Sequence, residues 1–237
     1  MHVKRLVALT AVIGLGLIAQ SASANTITYD FIGTPSFTGG LPVSVSATFT
    51  TLANEVQVSL TNNQANPTSV IQNLSDVAFQ LSAGTSGSIS SSAGTERSVA
   101  SGGTFTTGAS VSTGWALSTN GTSLFELNVL GTLIGPAHTL IGPPDGANVY
   151  SNANGSIAGN GPHNPFLIGP ITFDLAVPGV TAGSTVSSVD FSFGTTDGND
   201  VPGSPVPEPT TLLLLGTAMA GLGAGARWRR RQPSQQS

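Results

Sequence analysis

The chain has 237 residues, no cysteine, 39% hydrophobic residues and only 8% charged residues. Between residues 25 and 205 Arg97 is the sole base, against ten acids (Asp30, Glu55, Asp76, Glu96, Glu126, Asp145, Asp174, Asp190, Asp197 and Asp200), a formal charge of −9 with neutral histidines. This balance excludes a phosphate-binding surface and hence nucleic acid, and the missing cysteine excludes disulfides, thiol chemistry and Cys-based metal sites.

Residues 1–24 have the layout of a secretory signal peptide. Lys4 and Arg5 supply the positive start, Leu6 to Ile18 the apolar stretch, and Ala22-Ser23-Ala24 a small-residue cleavage site before Asn25. The apolar stretch is short for a spanning helix, which needs about 20 residues. Fold reasoning therefore starts at Asn25.

The segment 25–201 reads as an ectodomain built of short strands. Ile27, Tyr29 and Phe31 alternate with polar residues, as do Val43, Val45, Ala47 and Phe49, and then Val56, Val58 and Leu60. Thr50 to Asn54 is short enough to make the last two runs an antiparallel hairpin. After a turn-rich break at 62–67, Val77, Phe79 and Leu81 mark another strand. Residues 82–114 are mostly Ser, Gly, Thr and Ala, with a weak strand signal around Ile89 and Val99, so small-residue strands and an ordered loop both fit.

Trp115 to Leu117 and Leu124 to Leu130 read as strands about a turn containing Asn120-Gly121. From Gly131 to Pro170 the chain is loop-like, and its prolines are expected to break any ladder; a loop of this length suggests a binding surface. Two clear strands follow, one with Ile171, Phe173, Leu175 and Val177 on a face, the other with Val189, Phe191 and Phe193. No sustained 3.6-residue period occurs between 25 and 205. The expected fold is all-β, an antiparallel β-sandwich or jelly-roll-like ectodomain with a hydroxyl-rich surface.

Residues 202–209 form a Pro-rich linker, 210–226 an apolar run and 227–237 an Arg-rich tail. As a helix the apolar run reaches about 25 Å, short of the roughly 30 Å hydrocarbon layer, but the arginines can snorkel and Trp228 suits the interface. The expectation is one C-terminal transmembrane helix with its tail in the cytoplasm. Gly216, Ala220 and Ala224 recur every four residues, giving the helix a smooth, small-residue face that also suits dimerisation.

Val206-Pro207-Glu208-Pro209, the apolar run after it and the stop formed by Arg227, Arg229, Arg230 and Arg231 together resemble the PEP-CTERM sorting signal of Gram-negative bacteria. Residues 152–166 and Phe191-Ser192-Phe193-Gly194-Thr195 look like the region that precedes the tail in other PEP-CTERM proteins. The resemblance implies an exported protein processed by an exosortase near Pro207-Glu208-Pro209. A membrane-anchored intermediate then leads to the cell surface or the extracellular, exopolysaccharide matrix of a biofilm or floc. It transfers no catalytic residue.

Candidate chemistry inside the ectodomain is sparse. His138 and His163, with Asp145, offer imidazole and carboxylate to a metal, but without close ligand spacing. Asp197-Gly198-Asn199-Asp200, with Asp190 nearby, offers oxygens to calcium, although a solvated turn explains the same residues. No complete G-x-S-x-G elbow is present; a Ser-His-Asp triad would have to use His138 or His163. Glu55, Glu96 and Glu126 are the ectodomain's glutamates and the candidates for a glycosidase pair. The matches to the glycosylation sequon at Asn73, Asn120 and Asn154 are assigned no function. The expectation is therefore no catalytic residues, no bound cofactor (calcium being the candidate) and no enzyme. The role expected is structural, adhesive or exopolysaccharide-associated; the alternative is a carbohydrate-active enzyme or a calcium-dependent glycan-binding module on the same fold.

Overall fold

A computed structural model describes residues 24–207. Residues 1–23 of the expected signal peptide, Ala22 among them, the motif residues Glu208 and Pro209, the apolar run 210–226 and the arginine stop lie outside the described residues. Among the described residues no helix is long and apolar enough to cross a membrane.

The described chain is nearly all β. Thirteen strands form one hydrogen-bonded sheet: β1 Asn25–Gly33, β2 Val43–Leu52, β3 Glu55–Asn62, β4 Leu74–Leu81, β5 Ser88–Val99, β6 Phe105–Val111, β7 Ala116–Thr119, β8 Leu124–Asn128, β9 Leu140–Ile141, β10 Phe166–Ala176, β11 Val186–Phe193, β12 Asp200–Pro202 and β13 Ser204–Pro205. The main path runs β12-β11-β4-β9-β10-β3-β2-β1-β13, with β8 and β7 branching from β4, and β5 and β6 from β10. The helical content is two single 3-10 turns, Ser36–Thr38 and Val70–Gln72. The second is closed by a capping box between Ser69 and Gln72.

Alternation in the sequence becomes alternation of burial. β2 places Val43, Val45, Ala47 and Phe49 inside and shows its Ser and Thr residues outward. The β2–β3 turn is tighter than the apolar pattern suggested. Leu52 pairs with Glu55, leaving Ala53-Asn54 as the turn, with Asn54 in the left-handed region at φ 59°. The limbs of the sheet fold over one core: Phe49 of β2 meets Phe79 of β4 at 4.9 Å between ring centroids, although the two strands are not neighbours in the sheet. Phe79 stacks in turn on Phe125 of β8.

Three stretches differ from the sequence expectation. The small-residue region forms two regular strands, β5 and β6, because β5 is stitched to β10 along most of its length. The loop ends earlier than expected, since β10 begins at Phe166 and runs through Pro170. Proline is tolerated there because the β5 register is interrupted between Ile168 and Thr172, and pairing with β3 starts only at Ile171, so no ladder needs its missing N–H. The sheet also continues into the expected linker: β13 pairs with β1 through Tyr29↔Pro205 and Asp30↔Ser204, and the Val206 N–H donates to the Thr28 carbonyl.

A bulge in β11 explains a break in its alternation. Ser187 pairs with Gln80 and Asp190 with Ala78, so Ser188 and Val189 together face Phe79, with Ser188 at φ 49°. Val186 and Val189 thereby both point inward.

Phe79→Ala, at the meeting of the limbs, is expected to cost about 3–5 kcal/mol in denaturant unfolding. Ile32→Ala, whose side chain is 80% exposed, should stay within about 0.5 kcal/mol of the wild type.

Candidate functional site

The long segment between β8 and β10 is held by side chains rather than by ladders. Its small core of Val70, Val99, Ile141, Tyr150, Ile157 and Phe166 lies apart from the main one. The β5–β6 turn docks on it: the Tyr150 N–H donates to the Gly103 carbonyl at 2.9 Å. Gly103 has φ 85°, and a Cβ there would stand 2.4 Å from the Tyr150 carbonyl oxygen, so only glycine fits.

Arg97 stands on β5 beside this small core. Its Cζ lies 4.0 Å from the centroid of Phe105, Nη1 donates to the Tyr150 hydroxyl and Nη2 to the Thr107 hydroxyl, each at 3.2 Å. The Tyr150 hydroxyl passes its own proton to the Gly142 carbonyl. Arg97 has no carboxylate partner among the described residues, and its buried Nε has no hydrogen-bond partner. It lines a pocket of about 210 Å³ with Thr61, Asn62, Asn63 and Ile168. A second groove, about 300 Å³, runs past Phe105 between Ser98, Thr104, Thr106, Gly159 and Asn164. The groove offers hydroxyl and amide groups around an aromatic ring; the Arg97 guanidinium packs against that ring but lines the first pocket. Sequence reasoning named neither Arg97 nor Phe105 as a site; the available signal was that Arg97 is the lone base of the ectodomain.

The histidines are engaged elsewhere and are not brought together. The His138 ring joins Thr113 O through Nδ1 at 2.9 Å and Glu96 Oε1 through Nε2 at 3.2 Å. Its carbonyl accepts the Trp115 indole N–H at 3.0 Å, and its own N–H donates to Pro165 O. His163 Nδ1 joins the Ser156 carbonyl at 2.7 Å. Among the described residues neither ring meets a serine hydroxyl, so no Ser-His-Asp triad is assembled. Asp145 closes its own loop instead, accepting from Ala147 N, Val149 N and Ser151 Oγ; these bonds, Ser151 first, hold its carboxyl below the usual range.

The three glutamates lie in separate settings: Glu55 accepts from Gln57, Glu96 meets His138 and Glu126 meets Asp76. The last is a hydrogen-bonded carboxyl pair, too close to flank a sugar at the roughly 5–10 Å that glycoside hydrolysis needs. Asp76 is 6% exposed on the outer face of β4. Burial, then its hydrogen bond with Glu126 and the nearby charges of Glu126, Asp200 and Asp197, push its carboxyl up to about 9. The proton therefore sits on Asp76, which donates to Glu126; that bond, the largest influence on Glu126, lowers its carboxyl.

Asp197 lies in the connection between β11 and β12, and Asp200 opens β12 opposite Ser192. Asn199 turns inward, its Nδ2 donating to Phe193 O, so the expected oxygen cluster is divided. No three His, Asp or Glu side chains converge in a metal-holding group among the described residues.

At its C-terminal edge the described chain ends in Val206-Pro207, the first half of the sorting motif. The family model of the PEP-CTERM protein-sorting motif matches residues 205–231. The chain is a PEP-CTERM domain-containing protein. The motif marks an exported protein sorted by an exosortase, with membrane-associated processing before the surface. No curated protein and no solved structure matches the chain.

Asp76 makes stability pH-dependent. Its folded value lies above its unfolded one, so the stabilising effect is complete below about pH 4 and is lost as pH rises toward about 9. Asp76→Asn keeps a donor toward Glu126 without an ionisable proton. In chelator-containing buffer it is expected to raise unfolding stability at pH 8 by about 1–3 kcal/mol and to change it little at pH 4.

Proposed function

We propose that this PEP-CTERM protein is a non-enzymatic component of the cell surface or extracellular matrix, and that its sheet works as a β-sandwich that holds exopolysaccharide. The observation that carries the reading is the groove past Phe105, with Arg97 packed against the same ring and lining the other pocket. Sugar rings bind on aromatic faces edged by hydroxyls and amides, and Phe105 with Thr104, Thr106 and Asn164 supplies both. Arg97 adds a preference for polysaccharides bearing carboxylates, since its guanidinium is not neutralised by a carboxylate of its own. The N-terminal leader and the apolar run 210–226 bring the chain to the membrane, and exosortase processing near Pro207-Glu208-Pro209 releases it to the surface.

Sorting is tested by fractionating wild-type and exosortase-deficient cells. Accumulation of the full-length chain in the membranes of the deficient strain alone is expected; equal retention in both would sink the sorting route.

Binding is tested by retention of the purified protein on a uronate polymer and on neutral dextran. The uronate polymer is expected to retain it more strongly. Arg97→Gln and Phe105→Ala are each expected to weaken that retention about 5–20-fold with the main-core unfolding transition still present. Absence of retention on either polymer would overturn the glycan reading.

A further inference from the structure

The outer face of β8, β4, β11 and β12 carries a two-row grid of oxygen-bearing side chains that the glycan groove does not use. In one row Asn128, Asp76, Ser192 and Asp200 stand opposite one another across the paired strands; in the next stand Glu126, Ala78, Asp190 and Pro202. Directly paired residues project to the same face, and the opposite face of these strands carries the core residues Val77, Phe79, Leu127, Phe191 and Val201. Four carboxyls thus share one patch, around the small side chain of Ala78, and the sole cation of the described ectodomain is engaged with Tyr150 and Thr107. An independent observation points into the same patch. Ser192 is 2% exposed, its Oγ is buried without a hydrogen-bond partner, and it stands between Asp76 and Asp200. A buried hydroxyl without a partner costs stability unless something else binds it.

We propose that this face is a divalent-cation site of the calcium class, with Asp76 and Glu126 as the charged ligands, Ser192 Oγ as a neutral one, and Asp200 and Asp190 adding charge at the rim. Two carboxylates are the number the geometry supports, since no three acidic or imidazole groups already converge; water completes the six to eight oxygens that calcium takes. A hard cation with an all-oxygen shell suits this patch, which holds no nitrogen or sulfur ligand. A site with two carboxylates falls in the affinity range of extracellular modules, about 10⁻⁴–10⁻³ M.

The test is thermal unfolding of the detergent-solubilised full chain at pH 7, at fixed ionic strength, with about 5 mM calcium chloride, magnesium chloride or chelator. Calcium is expected to raise the unfolding temperature by roughly 2–6 °C, and magnesium by less. The double substitution Asp76→Asn with Glu126→Gln removes this response. Because that pair is partly buried, the exposed Asp200→Asn serves as a second variant: it unfolds at the wild-type temperature in chelator and needs several-fold more calcium for the same shift. The proposal is overturned if calcium does not raise the unfolding temperature of the wild type, if the double variant responds as the wild type does, or if Asp200→Asn keeps wild-type calcium affinity.

Discussion

Everything in the described chain depends on one aromatic contact between strands that do not pair. Phe49 and Phe79 meet where the sheet folds over itself, and from there Tyr29, Phe125 and the valines and leucines of β2, β3, β4, β10 and β11 fill a continuous core. With no cysteine and, among the described residues, no Lys or Arg paired with a carboxylate, only the Glu96–His138 contact bridges side chains of this kind, and no cross-link compensates for a poor core. The apolar alternation therefore has to be regular, and that regularity is what made the strands visible in the sequence.

Regular alternation also decides what stays invisible. β1, β2, β3, β10 and β11 are buried on one face and show it, so their existence and sense were legible residue by residue. β5 and β6 carry Ser, Thr, Gly and Ala, which have no face to declare; they become strands because β10 offers a ladder and because small residues such as Gly94 fit against Leu167 and Ile171. Pro170 misled in the other direction. Proline removes one donor and nothing more, and a bulge at that point removes the need for it.

The candidate sites were legible to a lesser degree, for a related reason. Asp145 and His138 look like ligands in one dimension, yet Asp145 spends its carboxylate on backbone N–H groups of its own long loop, and His138 ties that loop to Thr113 O and Glu96 outside it. Buried backbone must be paired, so a loop of this length recruits the side chains that a sequence reader reserves for chemistry. Arg97 shows the converse: nothing in its immediate sequence marks a site, and its setting comes from Phe105 and Tyr150, brought to it from 8 and 53 positions away. The Asp76 patch arises from strand register, which joins residues separated by more than a hundred positions and leaves no local motif.

The sheet edge connects this fold to the sorting signal. β13, the last strand of the main path, and Val206 lie along β1, so the chain leaves the sheet directly into Pro207. The two prolines of β12 and β13 fit this position, because an edge strand or a short end strand tolerates a missing donor. Pro202 stands opposite Asp190 and Pro205 opposite Tyr29, so the stretch between β11 and the motif is fixed to the domain and not a free tether. The sorting motif thus begins at the rim of a folded sheet, because pairing along β1 continues through Pro205 and the Val206 N–H up to the motif's first residues.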